Sequence, residues 1–147
     1  MKIVVQRVKR ASVSVDNQQV SSIDLGLLLL VGFERSDTLR DVQTLAKKVV
    51  KLRIFEDEQG KMNLDVLQVA GEILSVSQFT LAASTKKGHR PSFTEAMDPL
   101  QAIEYYEAFN EEVKQWGVPV KTGVFQEEME IELVNDGPVT IILEGKQ

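Results

Sequence analysis

Leu25-Gly26-Leu27-Leu28-Leu29-Leu30-Val31-Gly32-Phe33 is almost continuously apolar and flanked by turn residues. A short run of this kind, without polar alternation, reads as a central strand buried on both faces. Upstream, residues 2–9 and 12–23 are rich in β-branched side chains and break at Asp16-Asn17, which predicts two strands or a hairpin. Downstream, Ser36-Asp37 is a candidate N-cap for a helix carrying Leu39, Val42, Leu45, Ala46 and Val49 at helical spacing. Lys47, Lys48 and Lys51 fall late in that segment, where cations favour a helix C-terminus. Residues 54–70 are mixed, and Glu56-Asp57-Glu58-Gln59-Gly60 reads as a turn between short extended pieces. Residues 72–81 alternate well enough for a further strand. Asp98-Pro99 then supplies an N-cap and a first-position proline. Ile103, Tyr106, Phe109, Asn110, Val113 and Trp116 mark one face of the second helix, and Gly117 is its stop. The remainder predicts strands near 118–124, 129–134 and 138–143, the last two joined by a turn. The expected class is α/β: a single layered domain over residues 1–147 with a mixed β-sheet and two main helices. Its expected order is two strands, two strand–helix pairs and three strands.

Composition narrows the chemistry. A chain of 147 residues, 43% of them apolar, can bury roughly 70% of the surface its unfolded form exposes. No stretch reaches the ~18 apolar residues of a membrane span, and the N-terminal residues lack a signal peptide's apolar run, so a cytoplasmic protein is expected. There is no cysteine, which excludes disulfides, thiolate metal sites and a cysteine nucleophile. His89 is the only histidine, too few for an ordinary zinc site, and no Asp cluster suggests magnesium; neither metal nor cofactor is expected. The net charge of −5 argues against a dedicated duplex binder. Local charge runs the other way at Lys86-Lys87-Gly88-His89-Arg90, while acid gathers at Glu127, Glu128, Glu130 and Glu132. Either run reads most simply as solvated surface.

Familiar catalytic apparatus is missing: no Gly-x-Ser-x-Gly elbow, no glycine-rich phosphate loop, no dinucleotide fingerprint. A Ser-His-Asp triad would have to use His89, which sits beside Gly88 in a loop. Two segments remain. Ser77-Gln78-Phe79-Thr80 places polar and aromatic groups at the end of an otherwise buried strand, where α/β proteins tend to build sites; an ordinary edge strand is the alternative. Asn135-Asp136-Gly137-Pro138-Val139-Thr140 has the pattern of a turn, although its proline cannot donate to a ladder. X-Pro bonds are cis only about 5–6% of the time, so the residues alone favour a trans bond.

Together these segments resemble the D-aminoacyl-tRNA deacylase family, whose markers are a Ser-Gln-Phe-Thr and a Gly-Pro-Val-Thr stretch. Both occur unbroken, at 77–80 and 137–140. The resemblance extends to Gln6-Arg7-Val8 with Ala11-Ser12-Val13, and to Arg90-Pro91-Ser92-Phe93, so it spans essentially the whole chain.

The resemblance implies a homodimer in which the Gly-Pro turn of one subunit, with a cis bond, enters the other's active site. Gly137 and Pro138 would present backbone carbonyls to the α-amino group of a bound aminoacyl-tRNA 3′ end. An L-residue would drive its Cβ into that turn, a D-residue would not, and glycine would escape exclusion. Ser77, Gln78, Phe79 and Thr80 would line the other wall, with main-chain N–H groups near Phe79 and Thr80 holding the ester carbonyl. Phe125 would stack on the terminal adenine, plain core being the alternative. Arg7 would brace the Gly-Pro carbonyls, a surface ion pair being the alternative. Either Thr80 attacks the ester, or water does so with help from the terminal 2′-hydroxyl; the shortage of acid–base side chains favours water. Two rivals stand beside this reading: a non-catalytic nucleic-acid-binding dimer, and a Ser/His esterase using His89.

Overall fold

The computed structural model describes residues 1–145. Its longest ladder joins the two ends of the chain. Strand β1 (Lys2–Val15) runs antiparallel to the last strand, β8 (Glu130–Glu144), from Lys2↔Glu144 to Ser14↔Glu130. The rest of β1 pairs antiparallel with β3 (Gly26–Gly32) over residues 2–8 and with β2 (Gln18–Ile23) over residues 11–15. The β1–β2 hairpin turns at Asp16 and Asn17, both at positive φ, as the two-residue hairpin signal requires. Beyond β3 the sheet becomes parallel, through β6 (Glu72–Ser77) to β7 (Val120–Thr122), giving the order β2-β1-β3-β6-β7. The sheet is therefore mixed, as the sequence predicts. A separate small hairpin, β4 (Phe55–Glu56) with β5 (Met62–Leu64), accounts for the extended pieces around Gly60.

The central strand is covered on both faces. Leu27, Leu29 and Val31 point to the helices, joining Val42, Leu45, Val49, Tyr106, Phe109 and Val113 in one core. Leu28 points the other way, with Val8, Val13, Ile23, Leu74 and Val76, into a second core that the curled sheet closes with β2 and β8. Strands β1 and β8 serve both cores by changing faces midway. Ile3, Val5, Val139 and Leu143 belong to the helix-side core, whereas Val8, Ala11, Val13, Ile131 and Leu133 belong to the other. The change coincides with register shifts between Gln6 and Val8 and between Val8 and Arg10, and bulges are the device that re-aims side chains within a ladder.

Helix α1 (Leu39–Lys51) starts at Thr38, whose hydroxyl and Asp41 form a reciprocal capping box. The expected cap at Ser36-Asp37 is corrected: Asp37 is buried, pairs with the Met1 ammonium and accepts the Glu34 N–H at 2.6 Å. Helix α2 (Pro99–Gln115) starts as predicted, with Asp98 accepting the Leu100 N–H at 3.1 Å. Tyr106, Phe109, Asn110 and Val113 form its buried face. Trp116 lies just past the helix, its ring under Lys47 and Lys51 at 5.9 and 5.1 Å, so those lysines make cation–π contacts there.

Four expected elements change. Strand β6 stops at Ser77, and residues Phe79–Ala82 form a 3₁₀ turn. That turn crosses the end of β3 at Gly32, where a Cβ would lie 2.8 Å from the Gln78 carbonyl oxygen and 2.9 Å from Leu81 Cβ. The strand expected near 118–124 is shorter, and the two expected at 129–134 and 138–143 are one continuous β8. No hairpin turns at Asp136-Gly137, because both halves pair with the same partner, β1. Among the described residues no helix is long and apolar enough to cross a membrane.

Candidate active site

The Gly137-Pro138 bond is cis, as the resemblance implies and against the trans default of X-Pro bonds. Both residues are exposed, in the stretch where β8 changes faces. Two side chains hold the stretch in shape. Arg7, only 4% exposed, donates from Nε to the Asp136 carbonyl at 3.1 Å and from Nη1 to the Ile54 carbonyl at 2.7 Å. Its charge is balanced by Asp136 at 3.6 Å and Glu56 at 3.9 Å. The surface-pair alternative for Arg7 is thus replaced by a buried brace, on the carbonyl preceding Gly137. Asn135, which the sequence reading passed over, spans the Gly-Pro pair: its Oδ1 accepts the Val139 N–H at 3.0 Å, and its Nδ2 donates to Thr140 Oγ1 at 2.9 Å. Asn one residue before Asp-Gly-Pro was the available signal, since short amide side chains bond to nearby backbone.

At the other segment, Ser77 and Gln78 are half-buried, whereas Thr80 and Phe79 are exposed, Phe79 by 59%. The Gln78 N–H is tied to the Val31 carbonyl at 2.8 Å, and its side-chain amide donates to Thr80 Oγ1. The N–H groups of Phe79 and Thr80 open the 3₁₀ turn and have no acceptor among the described residues. They form an unfilled pair of backbone donors beside an exposed aromatic ring. The Phe79 ring leans on Phe93 at 5.2 Å and 58°.

Phe125 is half-buried, its ring 6.1 Å from that of Tyr106. It forms one wall of an open cavity of about 350 Å³ with Ile103, Asn110, Thr122 and Gly123, at the C-terminal end of β7. A cavity of this size suits a small aromatic group. Tyr106 Oη donates to the Ser75 carbonyl at 2.6 Å, and burial holds its pKa above the ordinary 10.0 although bonds to Ser75 and Asn110 oppose the shift. Ser75 and Asn110 are themselves buried beside the phenol. A larger groove of about 600 Å³, over Arg10, Ile23 and Glu132, contains neither motif. His89 is exposed and bonded to no serine or carboxylate among the described residues. No group of three His, Asp or Glu residues among them is placed to hold a metal.

The register separates the two motifs. Ser77 pairs with Val31, Val31 with Ile3 and Ile3 with Leu143, so Ser77 lies three strands from β8. Gly137 lies in the irregular stretch of β8 between Asn135 and Thr140, opposite Arg7, which is four residues along β1 from Ile3. At ~4.8 Å per strand and ~3.3 Å per residue, the motifs of one chain are on the order of 20 Å apart.

The sequence profile described as D-Tyr-tRNA(Tyr) deacylase matches residues 4–144. The chain belongs to that family. Deacylase-family relatives are similar along their whole length. One from Geobacillus sp. (strain WCH70), named D-aminoacyl-tRNA deacylase, is 57% identical over 147 residues, covering 100% of this chain and 97% of its own. Another of that name from Parabacteroides distasonis (strain ATCC 8503) is 56% identical, covering 99% and 98%. Among solved structures, one titled c-Myc DNA Unwinding Element Binding Protein superposes with a TM-score of 0.93 at 44% identity, over 98% of both chains. A probable eukaryotic D-amino acid tRNA deacylase superposes at 0.80 with 16% identity, over 97% of both, a likeness of fold.

Proposed function

We propose that this protein hydrolyses the ester of D-aminoacyl-tRNA as a homodimer, each site built from residues 77–80 of one copy and Gly137-Pro138 of the other. The observation that carries this reading is that two exposed, complementary motifs of one chain are set three strands apart and out of level by the sheet's register. One offers two backbone donors without acceptors; the other offers backbone carbonyls on a braced stretch that cannot easily move. A second copy supplies the missing wall to each.

In the assembled site the Phe79 and Thr80 N–H groups hold the ester carbonyl and the oxyanion that develops on it. The Gly137 and Pro138 carbonyls receive the α-amino group, and an L-residue's Cβ meets the same backbone. Discrimination by backbone needs no contact with the substrate side chain, so many D-residues are accepted and glycine is too. The terminal adenine lies against Phe125 in the cavity beside Tyr106. Among the described residues Thr80 Oγ1 is bonded by the Gln78 amide and by no histidine or carboxylate that could activate it. Water is therefore the nucleophile, assisted by the 2′-hydroxyl of the terminal ribose.

The test is release of amino acid from matched D- and L-tyrosyl-tRNA by the purified protein. Selective release from the D-form is expected; equal release from both removes the chiral reading, and release from neither removes the enzyme. The last outcome leaves a nucleic-acid-binding dimer, a reading favoured by the name of the 44%-identical solved structure.

A further inference from the structure

We propose that the loop carrying Lys86, Lys87 and Arg90 grips the phosphodiester backbone of the unpaired RNA strand immediately 5′ of the nucleoside whose ester sits at Phe79 and Thr80. This rests on the deacylase reading for the position of the ester. The loop is built rather than loose: Ser84 and Ser92 exchange both backbone hydrogen bonds at 2.8 Å, closing residues 85–91. Its incoming arm leaves the 3₁₀ turn of Phe79, and its outgoing arm returns to Phe93, which packs on Phe79. Beyond Phe93 the chain is fastened to the end of β3, where Arg35 donates from Nε to the Thr94 carbonyl at 2.6 Å and from its N–H to the Glu95 carbonyl at 2.9 Å. The cations are thereby held within a few residues of the unfilled donors.

Their electrostatics are unusual for this chain. Twenty-two acidic residues are available, yet Lys86, Lys87 and Arg90 have no ion pair among the described residues, and all three are exposed. Three fixed positive charges next to an exposed aromatic pair make the combination that single-stranded nucleic acid recognises: charge for the backbone, rings for the bases. Duplex binding would call for a broader basic surface than one loop on a chain of net charge −5. Tethering cations beside the ester site also explains how an acidic protein captures a polyanion: the attraction is local, and acid elsewhere, as at Glu127 and Glu128, disfavours other orientations.

The experiment compares wild type with the triple variant Lys86→Gln/Lys87→Gln/Arg90→Gln in two assays. In the first, equilibrium binding of uncharged tRNA is followed between 50 and 200 mM salt. Three phosphate contacts to a single strand predict that the wild-type log–log salt slope is steeper by about 2, a difference of roughly twentyfold in affinity change across that range. In the second, hydrolysis of D-tyrosyl-adenosine, which has no phosphate, is expected to proceed at the same rate in both proteins. On D-tyrosyl-tRNA the variant's KM rises while its single-turnover maximum stays at the wild-type value. An unchanged salt slope overturns the proposal, and so does an equal loss of activity on D-tyrosyl-adenosine, which would make the loop a structural support. If wild type hydrolyses neither substrate, the deacylase reading fails, and the tRNA-binding slopes still decide whether the loop contacts RNA phosphates.

Discussion

At the scale of single residues, the proposed site is built mostly from backbone. Gly137 has φ +129°, and a Cβ there would lie 2.8 Å from Val139 Cγ2 and 3.1 Å from Arg7 Nη2. Gly137→Ala therefore has to move either the braced arginine or the strand, and misplacement by about 1 Å costs on the order of 10²-fold in rate. Single-turnover release from D-tyrosyl-tRNA should fall by that order, and a wild-type rate would mean that the position does not touch substrate. Thr80 is the opposite case. If its hydroxyl is only a neighbour of the reacting ester, Thr80→Ala should keep the rate within about tenfold, less than the 10²- to 10⁴-fold typical of an acid–base group. Replacing the terminal 2′-hydroxyl by hydrogen should be more damaging. An acyl-enzyme trapped on Thr80 would reverse that assignment. The sequence singled out Arg7 and Gly137, which the structure brings side by side, but not Asn135, whose bonds to Val139 and Thr140 depend on a strand that continues past proline.

At the scale of elements, the sequence was most informative where burial alone decides structure. The continuous apolar run of β3 and the spaced apolar residues of α1 and α2 need no knowledge of partners, and the structure buries them as read except at the helix ends, where Leu39 and Trp116 are exposed. It was least informative where a distant partner overrides local chemistry. Asp136-Gly137 is a good turn signal, but the ladder with β1 on both sides keeps β8 extended. Ser36, Asp37 and Thr38 are all capping types, and Asp37 is withdrawn from the choice by the Met1 ammonium. The alternation through residues 77–80 likewise says nothing of the turn over Gly32. One element-level contact is open to titration. Tyr106 ties α2 to β6 through the Ser75 carbonyl, and its pKa is raised from 10.0 chiefly by burial. A raised folded-state pKa contributes stability below about pH 10 that is lost as pH climbs through the folded value. Urea unfolding at pH 9 and 11 should show that loss in wild type and much less of it in Tyr106→Phe. The variant should also be less stable at pH 7 by about 0.5–1.5 kcal/mol, since the Ser75 carbonyl loses the phenol but keeps the Gly123 N–H at 3.2 Å.

At the scale of the whole molecule, two copies sharing two sites can be tested by complementation. Phe79→Pro removes both the ring and one of the two donors, while Gln78, at φ −141° and ψ 86°, already lies outside the helical region that a following proline disfavours. It should fold and be inactive. Mixed with Gly137→Ala under conditions that exchange subunits, it forms mixed dimers in which one site carries both lesions and the other carries neither. Random pairing in a two-fold dimer then restores about a quarter of the wild-type sites. No recovery, with exchange confirmed by sedimentation of differently tagged copies, would place each site within one chain.

The crossing of β1 and β8 from one core to the other bears on which lengths of chain this family can tolerate. Val139 and Leu143 reach the helix-side core only because the ladder slips just before them. Deleting or inserting one residue within 135–138 would invert the facing of everything that follows to the end of the strand. An exposed stretch at a functional site is ordinarily where insertions and deletions accumulate. Here such changes should appear as failure to fold rather than as altered specificity, which leaves substitution as the only route by which this stretch can vary.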